Sequence, residues 1–183
     1  MNGERARMPA KQNNRKKTPK SPLETAVLLL TRQPMSRLAL EKKLRAKGFS
    51  RTAAEETLRE CERYGYIDDS RMAEAKVAMM RDRGDGARKI KLHLALKGFS
   101  VEIIREALQA DSRNSERDEL AVALEFLRRR KITLERERDP LKRKLRALRA
   151  LASKGFGQGV AREAVARVFG NSEFEFPEDE EAL

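Results

Sequence analysis

The sequence predicts an all-α protein made of three tandem three-helix units, and three observations carry that expectation. The tripeptide Lys-Gly-Phe recurs at 47–49, 97–99 and 154–156 with its flanks in register. Each copy follows an apolar stripe at helical spacing. No window alternates apolar and polar residues with the period of a strand, and β-branched residues are sparse.

Alignment on the three phenylalanines shows how the unit is built. Five residues before each stand Leu44, Leu94 and Leu151; five after stand Ala54, Ile104 and Ala161; nine after stand Leu58, Leu108 and Val165. Stripes at Leu40/Leu44, Ile90/Leu94 and Leu141/Leu145/Leu148 give the helix before each tripeptide. The glycine stops that helix, because a left-handed residue after a helix end is cheapest for glycine. The phenylalanine then plugs between two helices. Ser50 and Ser100 are expected to cap the next helix, whereas the third copy has Gly157 there and is expected to be capped more weakly. A further helix precedes each pair, over 23–32, 69–83 and 116–130. The predicted division is therefore a basic arm (1–20), repeats at 21–66, 67–112 and 113–170, and an acidic tail (171–183). Neighbouring repeats are expected to share apolar faces in an elongated, curved body.

Charge is distributed unevenly along these 183 residues, which carry 41 Lys+Arg against 29 Asp+Glu for a net of +12 and a pI near 10.1. Residues 1–20 hold seven bases against Glu4, a net of +6 with almost nothing apolar to bury, and read as a disordered arm. Residues 171–183 hold six acids and no base, so they cancel the arm. The whole surplus therefore sits on residues 21–170. Three quarters of it lies between Arg128 and Lys154, where twelve bases face three acids. Such a block attracts polyanions or an acidic protein surface. Within it Lys142, Arg146 and Arg149 fall at i, i+4 and i+7 beside the leucine stripe and form one exposed flank. Arg128, Arg129, Arg130 and Lys131 are expected to end the preceding helix, where its dipole favours cations.

Several classes of chemistry lack their residues. One cysteine, Cys61, precludes an internal disulfide or a cysteine zinc cluster, and is expected to be a small core residue. One histidine, His93, argues against a histidine metal site or a nucleophile–base pair. Asp68 and Asp69 read as an N-cap and a first-turn acid rather than a catalytic carboxylate pair. Gly84-Asp85-Gly86 lacks the rest of a phosphate loop and any strand before it. Of Tyr64 and Tyr66, one is expected in the core and the other outside. The best candidate for a membrane span, the uninterrupted apolar run Ala26–Leu30, falls far short of the roughly 18 residues needed. A cytoplasmic, non-enzymatic monomer with no cofactor is the expectation.

The run Met35-Ser36-Arg37 through Leu40, Leu44 and Lys47-Gly48-Phe49, followed by Gly65-Tyr66-Ile67-Asp68-Asp69-Ser70-Arg71-Met72-Ala73, resembles the RecX family of recombinase regulators. The segment Gly86-Ala87-Arg88-Lys89-Ile90, ahead of Leu94 and Lys97-Gly98-Phe99, is similar to that family's middle repeat. The resemblance covers roughly residues 23–170, with Ile67 where leucine is usual and Ala87 where proline is common. It implies a modulator that binds the RecA recombinase and its nucleoprotein filament and depresses ATP hydrolysis and strand exchange. Direct contact with single- or double-stranded DNA is a further expectation. The expected partner contacts are Tyr66, Asp69, Arg71, Arg88, Lys89, Lys91, Lys97, Arg128, Arg129, Lys142, Arg146 and Arg149. The main rival is a helix-turn-helix DNA-binding regulator, against which stand the threefold recurrence, the lack of a hairpin wing and a charge peak in the third copy.

Deleting residues 1–20 is expected to leave the melting temperature unchanged, since they bring no core side chain. A drop of several degrees in a thermal melt would show that they do.

Overall fold

The computed structural model describes residues 20–114 and 118–170. The basic arm up to residue 19, Glu116 with its two neighbours, and the acidic tail lie outside the described residues. Those described form nine helices: α1 (Pro22–Arg32), α2 (Arg37–Ala46), α3 (Arg51–Arg63), α4 (Asp69–Asp82), α5 (Ala87–Leu96), α6 (Val101–Asn114), α7 (Glu119–Glu135), α8 (Pro140–Ser153) and α9 (Gln158–Phe169).

Local chemistry sets most of the boundaries. Ser21 and Glu24 close a reciprocal capping box on α1, and Ser36, Ser50, Asp68, Asp118 and Asp139 each accept a backbone N–H in the first turn of the following helix. Ser100 does the same for α6 through the N–H of Ile103. Gly157 offers α9 no side-chain cap, as its sequence implies. Gly48, Gly98 and Gly155 end α2, α5 and α8 with φ of 92°, 84° and 81°, and the following Phe N–H returns to the leucine carbonyl five residues back. Phe99 and Phe156 are buried behind these turns, while Phe49 is half-buried.

Each set of three helices surrounds its own core. Leu40, Leu44, Ala54, Leu58, Cys61 and Ile67 form the first; Val77, Ile90, Leu94, Phe99 and Ile104 the second; Val122, Phe126, Leu127, Ala147, Leu151, Phe156 and Val165 the third. The main helix–helix packing stays inside these sets, chiefly α1 on α3, α4 on α6 and α7 on α9. The expectation that neighbours share apolar faces is therefore corrected. A helix of ten to fourteen residues has one apolar stripe, and here its own unit uses it up.

Three further expectations change. The basic run Arg128–Lys131 does not end a helix: α7 continues to Glu135, because nothing in that run stops it, and α8 starts at Pro140 behind the Asp139 cap. On α8 the inward face is Lys144, Ala147 and Leu151, with Leu148 at its edge, while Leu141 is 44% exposed. Leu151 fixes that rotation, as Leu44 and Leu94 do in the other units. Tyr64 and Tyr66 are both about half exposed, with ring centroids 5.8 Å apart, and Ile67 takes the core place between α3 and α4.

A methyl group at Gly86 would lie 2.6 Å from the backbone of Gly155, yet its φ of −80° suits any residue. Gly86→Ala is therefore expected to cost about 2 kcal/mol through steric conflict alone. Gly157→Ser, in open space with extended backbone, is expected to gain a few tenths of a kcal/mol by adding a cap. Urea unfolding of the two variants checks both signs.

Candidate functional site

The units are held together at helix ends. The Lys-Gly-Phe turn of one unit rests on the start of the middle helix of the unit before it. At the first joint the Ser36 hydroxyl donates to the Lys97 carbonyl at 2.6 Å. At the second, the Gly86 N–H donates to the Lys154 carbonyl at 2.7 Å and the Arg88 N–H to the Gly155 carbonyl at 3.1 Å. The approach leaves no room for a Cβ at Gly155, where one would meet Lys89 at 2.5 Å, and is tight at Gly98, where one would meet the Ser36 Oγ at 3.0 Å. At Gly48, in the first of the described units, no described residue lies within 4 Å of that position.

A second contact completes each joint. Asp69, the first residue of α4, accepts the Arg37 N–H, the first of α2, at 3.0 and 3.2 Å. Glu119, the first residue of α7, accepts the Ala87 N–H, the first of α5, at 2.9 Å. Both pairs are separated by 32 residues. Thus the orphan donors of a middle helix are satisfied by an acid from the next unit, where the helix dipole also favours negative charge. Burial pushes the Asp69 carboxyl above its ordinary value, only partly offset by the Arg37 N–H. An Arg37–Glu62 ion pair at 2.8 Å flanks this joint.

The second joint has a charged node around a buried carboxylate. Asp85 Oδ1 lies 2.9 Å from Lys89 Nζ and 3.0 Å from Lys154 Nζ, and Lys154 also donates to the Arg83 carbonyl at 3.1 Å. Burial alone would push the Asp85 carboxyl up; hydrogen bonds from Lys89 and Lys154, with their charges, outweigh it and hold the carboxyl below its ordinary value. Lys154 also sits 5.7 Å from the Phe126 ring centre, and Arg130 5.0 Å from it.

The twelve residues singled out by sequence fall into separate groups. Tyr66 and Arg71 are exposed beside the first joint, while the Asp69 carboxylate is taken up in capping α2. Arg88, Lys89 and Lys91 lie on α5 with Lys97 at its end. Lys89 belongs to the Asp85 node, and Lys91 lines an open cleft of about 690 Å³ with Arg81, Arg105 and Glu119. Arg128 and Arg129 are exposed on α7, where Arg129 pairs with Glu125. Lys142, Arg146 and Arg149 are all exposed, and their side chains make no ion pair among the described residues. Arg143 beside them turns inward to the Glu137 carbonyl, so these three form the outward basic flank of α8. Ser36, Asp85, Gly86 and Glu119 are joint residues that the sequence does not single out as contacts. The only trace of their pairing in the sequence is the repeated 32-residue interval.

No group of three or more His, Cys, Asp or Glu residues that could hold a metal occurs among the described residues, and no helix there is long and apolar enough to cross a membrane. The family model described as RecX, second three-helix domain, matches residues 68–108, from the α4 cap through most of α6. Regulatory protein RecX of Chromohalobacter salexigens is 34% identical over 152 residues, which cover 83% of this chain and 95% of that protein. This chain belongs to the RecX family. A RecX protein of Thermus thermophilus is 39% identical over 142 residues, covering 78% of this chain and 88% of that relative. The match with RecX of Legionella pneumophila, 35% identical, spans 50% of this chain and 61% of that protein. The crystal structure of RecX from Lactobacillus salivarius superposes with a TM-score of 0.70 at 20% identity, covering 80% of this chain and 94% of that one, and shares its fold. The RecX second-domain match includes Asp69, Asp85, Gly86 and Gly98, four of the residues that make the joints.

The Asp85 node is expected to make the second joint sensitive to pH. A carboxyl held low in the folded state adds stability that is complete above its unfolded value, about 3.9, and is lost as pH falls through the folded value. Asp85→Asn is therefore expected to lower stability near neutrality and to flatten the acid limb below about pH 4. Urea midpoints measured across that range check it; parallel curves for the two proteins would contradict it.

Proposed function

We propose that this RecX-family chain binds the RecA recombinase and its nucleoprotein filament, and that binding depresses ATP hydrolysis and strand exchange during recombination and repair. Membership of a family of regulatory proteins carries the reading, through a relative matched over 95% of its length. The geometry suits it. A helical polymer offers the same surface at regular intervals, and three separately cored units joined end to end offer several contacts along one line. Repeated weak contacts on one body gain affinity by linkage. The exposed Lys142/Arg146/Arg149 flank supplies the attraction to phosphates or to acidic side chains.

A regulator that reads a DNA sequence through a winged helix has less support. The described residues contain no strand that would make a wing. The α8 bases also lie on the middle helix of the third unit, whereas a helix-turn-helix reads bases with its second helix and needs that helix free. Catalysis has no candidate constellation among the described residues.

Two measurements test the proposal. Fluorescence anisotropy at matched salt is expected to show tighter binding to RecA filaments than to naked single-stranded DNA; equal affinities would contradict it. In a titration of RecA ATPase on single-stranded DNA, Lys142→Gln with Arg146→Gln and Arg149→Gln is expected to raise the half-inhibitory concentration about tenfold, with an unchanged thermal melt. Inhibition equal to that of the parent chain would remove the flank from the interface.

A further inference from the structure

We propose that the acidic stretch 171–183 is a tethered occupant of the Lys142/Arg146/Arg149 flank and competes there with external polyanions. The inference rests on the reading of that flank as a polyanion-binding surface and adds its regulation. It starts from connectivity. Gly170 ends α9, and α9 packs directly against α8 in the third core. Thirteen residues follow it, enough to span about 43 Å when extended. The fourteen-residue α8 is about 21 Å long, so its whole flank lies within that reach.

Charge supports the same pairing. Glu173, Glu175, Glu178, Asp179, Glu180 and Glu181 have no base among them, and the helical span from Arg128 to Lys154 carries a net of +9. Within that span several of the other bases already have partners. Arg129 pairs with Glu125, Lys131 with Glu135 and Lys154 with Asp85, and Arg143 reaches the Glu137 carbonyl. The three cations of the α8 flank are exposed and make no ion pair among the described residues.

Apolar groups on both sides favour this occupant over a bare run of phosphates. Phe174 and Phe176 alternate with Glu173 and Glu175. Two large apolar side chains stand exposed on either side of the α7–α8 loop, Ile132 at 79% and Leu141 at 44%. An acidic segment with interleaved phenylalanines meets both the cations and that apolar surface.

Tethering makes a weak contact effective, because a short linker holds the segment at roughly millimolar local concentration. External polyanions must displace it, so its removal is expected to tighten their binding. The contact is screened within about 8 Å at physiological salt, which makes the competition salt-sensitive.

The test is a four-cornered set: the full chain, a variant with the six acids changed to their amides, the Lys142→Gln/Arg146→Gln/Arg149→Gln variant, and the combination. Binding of a single-stranded oligonucleotide is read by anisotropy at about 50 mM and about 400 mM salt. Neutralising the tail is expected to tighten binding about fivefold at low salt on the native flank, with no gain at high salt or on the neutral flank. In parallel, carbodiimide coupling of the full chain is expected to join Lys142 to a carboxyl of 171–183. Unchanged affinity on neutralising the tail, while the flank variant still loses affinity, would overturn the tail contact and leave the flank's role standing. An equal gain on both flanks would mean diffuse repulsion and also overturn it. A flank variant that binds as tightly as the parent would instead remove the polyanion reading, and the coupling product would then decide the contact alone.

Discussion

The first two units of this protein depend on how the next one treats the exposed N–H groups at the start of their middle helices. A helix end leaves several backbone donors without partners, and burying them unsatisfied costs more than most side-chain contacts return. Here the donors of α2 and α5 are met by a carboxylate from the following unit, at Asp69 and Glu119, and the start of each helix is closed off by a glycine turn pressed against it. The joint is polar and made of backbone, so it fixes direction more than it adds buried apolar area. Each unit can therefore keep a core of its own.

The same chemistry distinguishes the outer helices of the described units. In α1 the first helical position, held by Asp69 in α4 and Glu119 in α7, is Pro22, which carries no acid to offer. In α8 the first position, held by Arg37 in α2 and Ala87 in α5, is Pro140, which has no N–H to satisfy. Asp139 caps the two donors that follow. Among the described residues, joints thus form twice. Among the described residues no further unit seats on the start of α8, and the exposed Lys142, Arg146 and Arg149 of that helix make no ion pair there.

The middle unit takes part in both joints. Its α4 supplies Asp69, its α5 turn seats on Ser36, and its Asp85 gathers Lys89 and Lys154 into a node that no single unit could build. That node settles why two lysines that look like surface charge in the sequence are structural. It also separates them from Lys142, Arg146 and Arg149, which look the same in composition and behave differently in space.

The sequence by itself determined the helices, their order and their stops. Leucine spacing, Ser and Asp caps and a glycine before each phenylalanine act within a few residues of one another, so they are legible locally. Membership of the RecX family was legible for the same reason, through the Tyr66–Ala73 segment and the repeated turns. Tertiary structure alone decided which bases are taken up in joints, that the cores are separate, that α7 runs through its basic stretch and that both tyrosines lie outside. These outcomes turn on the rotation of a helix about its axis and on carboxylates reaching donors 32 residues away. Periodicity fixes a helix face only to within about one residue, or 100°. A contact between ends of different units leaves no periodicity at all.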